Sequence, residues 1–167
     1  MNNGSVPTIK DLVLIGGGHG HITVLRRFGM KPMPGIRLTL ICRDVHTPYS
    51  GMLPGFIAGL YNFDDIHIDL ALLCRFANAR FFNSEVIGLD LSSNLIICDN
   101  RPPVVFDQLS LNIGSAPRTS DTLGAAKNTI PVKPINRFLD GWCELVYRST
   151  CQQGPITIAV VGAGAGG

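Results

Sequence analysis

The glycine-rich stretch after the first apolar run restricts the fold more than any other part of the sequence. Residues 11–15 (DLVLI) predict a short buried strand, and four glycines follow it within residues 16–20. The segment from Gly20 to Phe28 then has helical spacing, and residues 36–42 (IRLTLIC) predict a second strand after the breaker KPMPG. Strand, glycine turn, helix and strand are the opening of a βαβ unit, so we expect a buried parallel sheet.

The turn itself, in 13-VLIGGGHGHI-22, poses a choice between a histidine site and a phosphate-binding turn. His19 and His21 are two residues apart, so on a helix they point about 200° apart and are poorly placed to share a metal ion. Gly16 and Gly18 fill the first two positions of the G-x-G-x-x-G pattern, in which a tight bend and a bare backbone admit a pyrophosphate to a helix start. The third position is His21 instead of glycine. We therefore predict a dinucleotide-binding turn over Gly16, Gly17, Gly18, His19 and Gly20, and no metal site.

The residue that holds the adenosine ribose is expected at the end of the second strand. Cys42 occupies that position, and Arg43 and Asp44 follow it, so the usual acidic residue is absent. Two interpretations remain open: Asp44 reaches the ribose from two residues later, or backbone groups and Arg43 hold it.

The middle of the chain predicts one loop, two helices and a β-meander. Residues 47–61 are rich in glycine and proline, and residues 69–77 have helical spacing after acidic residues suited to capping. Three strand-like runs at 80–91, 95–99 and 104–113 predict a meander that covers one end of the parallel sheet. Residues 133–148 predict another helix, packed through Trp142 and Leu145.

A second strand-and-glycine motif stands at the end of the sequence. Residues 156–161 (ITIAVV) predict a strand, and Gly162, Gly164 and Gly167 complete the G-x-G-x-x-G pattern. We expect residues 1–150 to be the N-terminal part of one dinucleotide-binding domain, and residues 155–167 to be the first strand and turn of a second. The chain is thus expected to be an N-terminal fragment of a longer protein.

Composition narrows the class of protein. Of 167 residues, 46% are hydrophobic and 16% are charged, with a net charge of +2, which favours a folded core and offers no nucleic-acid patch. The five cysteines contain no C-x-x-C pair, so we expect reduced thiols in an intracellular protein. Neither a signal peptide nor an apolar run of about 20 residues is present, so we expect a soluble protein, with peripheral membrane association of the longer protein left open.

With these motifs in place, the sequence resembles the pyridine nucleotide–disulfide oxidoreductase superfamily of flavoproteins. The resemblance covers the first glycine turn, 85-EVIGLD-90 and 107-DQLSLNIGSAP-117, in which Ile113 replaces the usual threonine and Gly114 is kept. The stretches GGGHGH, HTPYSGMLPG and VKPINRF are most similar to the NADH dehydrogenase-like subgroup, some members of which are fused to selenide, water dikinase. The resemblance implies a Rossmann-like α/β fold that binds FAD and a second fold that binds NAD(P)H, with hydride passing from nicotinamide to flavin.

The resemblance also implies which residues meet the cofactors. The FAD pyrophosphate would lie on Gly16–Gly20, the adenosine near Cys42 and Arg43, and the adenine on the backbone of Val86. Ser50, Gly51 and Met52 would line the path of the flavin, Gly114 would approach it closely, and Gly162, Gly164 and Gly167 would serve the second fold. No catalytic residue is assigned.

The redox-active C-x4-C of the disulfide reductases is absent from this sequence. This departure favours electron transfer from flavin to a quinone or another small acceptor. The resemblance is also compatible with a homodimeric protein. Two alternatives remain: a flavoprotein module of a selenophosphate-forming fusion enzyme, and a non-catalytic nucleotide-binding fragment. The 167-residue chain alone is expected to be inactive, because the second fold ends at its first turn.

Overall fold

The computed structural model describes residues 9–116, 118, 121–152 and 154–162, and the chain divides into two compact units. The first unit contains the described residues up to Tyr49 together with His67–Gly114. The second unit contains Ser50–Ile66 and the described residues from Ser115 onward.

The secondary structure is a mixture of short strands and helices. The strands are β1 (Lys10–Ile15), β2 (Ile36–Cys42), β3 (His46–Pro48), β4 (His67–Asp69), β5 (Arg80–Asn83), β6 (Val86–Asp90), β7 (Leu95–Cys98), β8 (Val104–Val105) and β9 (Gln108–Leu111). The helices are α1 (His19–Met30), α2 (Leu53–Ile57), α3 (Phe63–Ile66), α4 (Leu70–Phe76), α5 (Ala125–Asn128) and α6 (Ile135–Cys151), with a 3₁₀ turn at Ser50–Met52.

The centre of the first unit is a parallel sheet in the order β5-β2-β1-β9. In β1, Val13 and Ile15 join one buried cluster with residues of β7 and β8, whereas Leu14 joins another with residues of α1 and α4. Because both faces of the sheet are covered, its central strands are continuous apolar runs. The α/β class and the predicted strand–turn–helix–strand opening are therefore confirmed.

The predicted antiparallel meander is present, but it is shorter than the three predicted runs. The three antiparallel strands β6, β7 and β8 form it, but the two outer runs of the sequence each divide between two sheets. Residues 80–91 give β5 to the parallel sheet and β6 to the meander, and residues 104–113 give β8 to the meander and β9 to the parallel sheet. Ser84 marks the first division, because its amide donates to the Cys42 carbonyl and its hydroxyl donates to Asp99.

The second unit contains α2, α3, α5 and α6. The 47–61 segment predicted as a loop contains the 3₁₀ turn and α2, which starts with Leu53 and has a proline in its first turn, a position where the missing N–H costs nothing. Helix α6 confirms the predicted helix, with Leu139 buried and both Trp142 and Leu145 half-buried.

The predicted strand at 156–161 is not formed. Residues 155–162 are assigned neither strand nor helix, because a strand of a parallel sheet needs a hydrogen-bonded neighbour and none of the described strands pairs with this segment. The second dinucleotide-binding domain stays a prediction. Among the described residues, no helix combines the length and the apolar character needed to cross a membrane.

A cluster of charges joins three strands at the edge of the sheet opposite the glycine turn. The Asp11 carboxylate on β1 accepts hydrogen bonds from Arg37 of β2 at 2.6 and 2.7 Å and from Arg80 of β5 at 3.1 Å. The hydrogen bond from Arg37 holds the pKa of Asp11 below its usual value of 3.8. The ionised carboxylate therefore contributes to the pairing of β1 with its neighbours.

We predict that Asp11→Asn lowers the free energy of unfolding by about 1–2 kcal/mol at pH 7, because a carboxylate that accepts three hydrogen bonds from arginines becomes a neutral amide. The pKa of Asp11 is lower in the folded protein, so this stability is present above about pH 4 and is lost as the pH falls further. Urea unfolding at pH 7 and at pH 3 measures the difference, which should shrink at pH 3. The matched control is Asp121→Asn, which removes an exposed partner of Arg118 and should cost less than about 1 kcal/mol.

Candidate nucleotide-binding site

Three neighbouring strands of the parallel sheet end at the same edge. Gly16 follows the end of β1, Cys42 ends β2, and Asn112 follows the end of β9. In open α/β sheets, ligands bind at the carboxyl ends of the strands. The residues predicted for phosphate and adenosine binding, Gly16–Gly20 with Cys42 and Arg43, are therefore brought to this edge of the first unit.

Gly16 makes the bend that takes the chain from β1 into the turn. Its φ of +93° belongs to a region that residues with a side chain rarely adopt. A Cβ added there would also lie 2.8 Å from the backbone carbonyl carbon of Asn112 and 2.9 Å from the Ile113 Cα. Both the conformation and the closeness of the chain after β9 require glycine at this position.

Gly18 and Gly20 lie against the side chain of Asn112. A Cβ added to either glycine would come within 2.8 Å of the Asn112 Nδ2 atom. The Gly18 amide also donates to the Asn112 carbonyl at 3.2 Å. The bare backbone of the turn thus allows the residue after β9 to pack directly on the start of α1.

The N-terminus of α1 has open hydrogen-bond donors. Gly18 is the N-cap and supplies no side-chain cap, and the first turn contains no acidic residue. The Gly18 carbonyl accepts from the amides of His21 and Ile22, whereas the amides of His19 and Gly20 donate to no acceptor in the part of the chain that the structure describes. Open amides at the positive end of a helix dipole are suited to bind an anion.

His21 occupies the third position of the motif and is buried, with 3% of its surface exposed. Its Nδ1 lies 2.7 Å from the Gly16 carbonyl oxygen and its Nε2 lies 2.9 Å from the Ser110 hydroxyl. A carbonyl only accepts, so Nδ1 donates to Gly16 and Nε2 accepts from Ser110, which fixes the neutral tautomer. Burial lowers the pKa of His21, although the hydrogen bond to Gly16 acts in the opposite direction. The neutral imidazole on α1 thus connects the turn after β1 to β9 through two hydrogen bonds.

Cys42, at the position expected for the ribose-binding acid, packs on the turn instead. A Cβ added to Gly17 would lie 3.4 Å from its sulfur. Burial raises the pKa of the Cys42 thiol, while hydrogen bonds from the backbone of Asp44 and Gly17 partly oppose this. The uncharged thiol at the end of β2 therefore packs against the glycine turn.

Arg43 and Asp44 lie at the exposed border of the site. Their side chains form an ion pair, with the Arg43 Nη2 3.4 Å from the Asp44 Oδ2. The Asn83 side chain donates to the carbonyls of Cys42 and Arg43 at 3.2 and 2.6 Å, which holds this segment on the end of β5. Arg43 and Asp44 both lie at the carboxyl edge of the sheet, and the two interpretations of ribose recognition stay predictions.

The remaining predicted residues have different surroundings. The His19 ring stacks on Tyr49 with 4.5 Å between ring centroids, Val86 is the first residue of β6, and Gly114 is exposed with a φ of +78°. Ser50, Gly51 and Met52 form the 3₁₀ turn of the second unit, where Gly162 is also exposed. Gly164 and Gly167 lie outside the described residues.

Two residues at this edge are absent from the sequence-based prediction. The motif in 107-DQLSLNIGSAP-117 selects only Gly114, yet Ser110 binds His21 and Asn112 contacts three glycines of the turn. Their position at the end of a strand that could pair with β1 is the signal that would have found them. Within the described residues, no group of three or more His, Cys, Asp or Glu side chains could hold a metal ion.

Comparison with known proteins identifies relatives of the chain. No family model matches it. It is 26% identical to the NADH dehydrogenase-like protein YutJ of Bacillus subtilis over 164 residues, which cover 95% of this chain and 43% of that protein. This similarity agrees with the resemblance of the sequence to the FAD-dependent pyridine nucleotide–disulfide oxidoreductase superfamily. It is also 31% identical to the sulfide-quinone reductase of Aquifex aeolicus over 108 residues, which cover 63% of this chain and 24% of that protein.

Solved structures show the same fold. The sulfide:quinone oxidoreductase of Aquifex aeolicus superposes with a TM-score of 0.69 at 23% identity, over 84% of this chain and 32% of that one. NDH2 of Plasmodium falciparum superposes with a TM-score of 0.70 at 19% identity, over 89% of this chain and 31% of that one. The chain therefore spans less than half the length of the relatives and solved structures that it matches.

We predict that Gly16→Ala destabilises the protein by about 2 kcal/mol or more, because alanine must adopt a left-handed backbone and collides with the backbone at Asn112. Thermal unfolding followed by circular dichroism measures this loss. Gly88→Ala is the matched control, since its Cβ would lie 3.7 Å from the Ile97 Cβ, an ordinary contact. Equal melting temperatures for the two variants would contradict the geometry of the turn.

A second prediction concerns the two hydrogen bonds of the His21 side chain. His21→Leu should destabilise the protein by about 1–3 kcal/mol, because the Gly16 carbonyl and the Ser110 hydroxyl lose their partner inside the fold. His21→Gln, which offers both a donor and an acceptor, should recover part of this loss.

The pKa of His21 is lower in the folded than in the unfolded protein, so wild-type stability falls as the pH drops below about 6.5. Chemical unfolding at pH 7.5 and pH 5.5 should show that His21→Gln lacks this component. An unchanged pH dependence in this variant would contradict a buried neutral imidazole.

Proposed function

We propose that the chain is the N-terminal, FAD-binding part of an oxidoreductase in which NAD(P)H reduces FAD and the flavin passes electrons to a quinone or another small acceptor. The observation that carries the proposal is the uncapped N-terminus of α1, where the amides of His19 and Gly20 are open beside the side-chain-free Gly18. This arrangement fits the pyrophosphate of a dinucleotide, which needs N–H donors and close approach to a bare backbone.

The residues of the first unit would divide the work of holding the cofactor. The turn Gly16–Gly20 would bind the pyrophosphate, the segment after β2 would face the adenosine, and the backbone at Val86 would meet the adenine. When bound, the flavin would supply the capacity for hydride and electron transfer between nicotinamide and the acceptor. The protein's contribution here is to fix the cofactor, and the neutral His21 serves this by holding the turn rather than by moving a proton.

The names of the relatives and the state of the thiols support a small acceptor over a disulfide. One relative is a sulfide-quinone reductase and another is NADH dehydrogenase-like. Burial raises the pKa of Cys42 and brings the pKa of Cys74 to about 12, so neither thiol forms a thiolate readily. These two thiols are therefore unsuited to a dithiol relay. The proposal also assigns residues 155–167 to the start of the NAD(P)H-binding fold.

Binding of FAD tests the first part of the proposal. The purified 167-residue chain, titrated with FAD and followed by quenching of flavin fluorescence, should bind one equivalent. Gly18→Ala should weaken this binding at least about 10-fold, because the added Cβ displaces the Asn112 side chain beside the pyrophosphate position. The control Gly88→Ala should bind FAD like the wild type. A chain that folds and binds no FAD would overturn the proposal.

The acceptor is tested in a longer protein that contains this sequence. We expect NADH or NADPH to reduce its flavin and a water-soluble quinone to reoxidise it, with little turnover of a disulfide substrate. The 167-residue chain should show no steady turnover in the same assay. Faster reduction of the disulfide than of the quinone would contradict the assignment.

A further inference from the structure

The side chain of Asn112 has an unusual place in the candidate site. Asn112 follows the last residue of β9, and its backbone is fixed at both ends, because its amide donates to the Ile15 carbonyl at 2.9 Å and its carbonyl accepts from Gly18. Its carboxamide lies across Gly18 and Gly20: Oδ1 is the atom nearest to an added Cβ at Gly18, and Nδ2 is the atom nearest to an added Cβ at Gly20. The strand end thus delivers an amide group to the first turn of α1.

This carboxamide makes no hydrogen bond to any residue that the structure describes. An asparagine has two donors and one strong acceptor, and a half-buried one is normally hydrogen-bonded. The Nδ2 group lies beside Gly20, whose amide, like that of His19 before it in the first turn of α1, is open. Donors from a strand end and from a helix start therefore converge on one small region.

The charge of this region favours an anion. Helix α1 has no acidic residue in its first turn, and no Asp or Glu occurs between residues 12 and 43. Asp44 is the next acidic residue in the sequence and is paired with Arg43. A carboxamide donor next to a helix N-terminus suits phosphate oxygens, which accept several hydrogen bonds at once.

We propose that Asn112 is a further cofactor-binding residue, which donates a hydrogen bond from Nδ2 to the diphosphate of the bound dinucleotide. The inference rests on the proposed function, since it completes the same site. It assigns Asn112 to the phosphates rather than to the flavin or the adenine, because its contacts are with the glycine turn. The residues assigned above from the motif around Gly114 do not include Asn112.

The experiment compares two ligands that share the diphosphate. FAD binding is followed by flavin fluorescence, and ADP-ribose, which lacks the flavin, is followed by competition with FAD. Asn112→Leu keeps the approximate size of the side chain and removes the donor, whereas Asn112→Asp keeps the shape and places a carboxylate beside the phosphates. Asn94→Asp is the matched control, because Asn94 is exposed in the turn between β6 and β7 and its φ of +53° is readily adopted by aspartate.

We expect Asn112→Leu to lower the affinity for FAD and for ADP-ribose by the same factor, about 10-fold. Asn112→Asp should lower both affinities by on the order of 100-fold. Asn94→Asp should leave both affinities unchanged. Melting temperatures close to that of the wild type would show that the losses arise in the site.

Three results would overturn the inference. Unchanged affinities in both Asn112 variants would show that the proposed hydrogen bond does not form. Weaker binding of FAD alone would place the contact on the flavin. Tighter binding by Asn112→Leu would show that the Asn112 side chain hinders the ligand. If the wild-type chain bound neither ligand, the proposed function itself would fail. Failure of the two proposals is therefore distinguishable.

Discussion

The close approach of the β9 end to the glycine turn is the constraint on which the site depends. The backbone of Asn112 packs against Gly16, and its side chain packs against Gly18 and Gly20. Three glycines of the turn thus contact the one residue that follows β9. A side chain on Gly16 would meet the backbone of Asn112 and Ile113, whereas a side chain on Gly18 or Gly20 would displace the Asn112 side chain. Gly16 is therefore required by packing before any ligand is present, and the bare backbone of the turn leaves the helix N-terminus accessible to a phosphate.

The two edges of the parallel sheet carry opposite kinds of polar structure. At the amino edge, Asp11 pairs with Arg37 and Arg80, so its charge is satisfied within the protein. At the carboxyl edge, the amides of His19 and Gly20 are left without an acceptor in the described part of the chain. Parallel strands place all their carboxyl ends on one side, which allows one edge to stabilise the sheet while the other stays free to bind.

The order of elements in the first unit was predictable because each local signal is short-range. An apolar run, a glycine turn and helical spacing are properties of neighbouring residues, and β1, α1, β2 and α4 follow them. The division of residues 80–91 and 104–113 between two sheets was not predictable in this way. Strand propensity shows that β5 and β6 are extended, but the contacts of Ser84 with Cys42 and Asp99, which separate them, join residues far apart in sequence.

The same distinction explains the departures of this chain from the usual dinucleotide-binding pattern. His21 replaces the third glycine and Cys42 replaces the acidic residue, and in the sequence these look like two unrelated losses of a cofactor-binding signal. In the structure both residues act on the same bend: His21 donates to the Gly16 carbonyl, and the Cys42 sulfur packs on Gly17. His21 also bonds Ser110 on β9, and Cys42 is the last residue of β2, so each of these contacts comes from a neighbouring strand. One hydrogen-bonded histidine and one packed cysteine thus hold the turn in place of a third glycine.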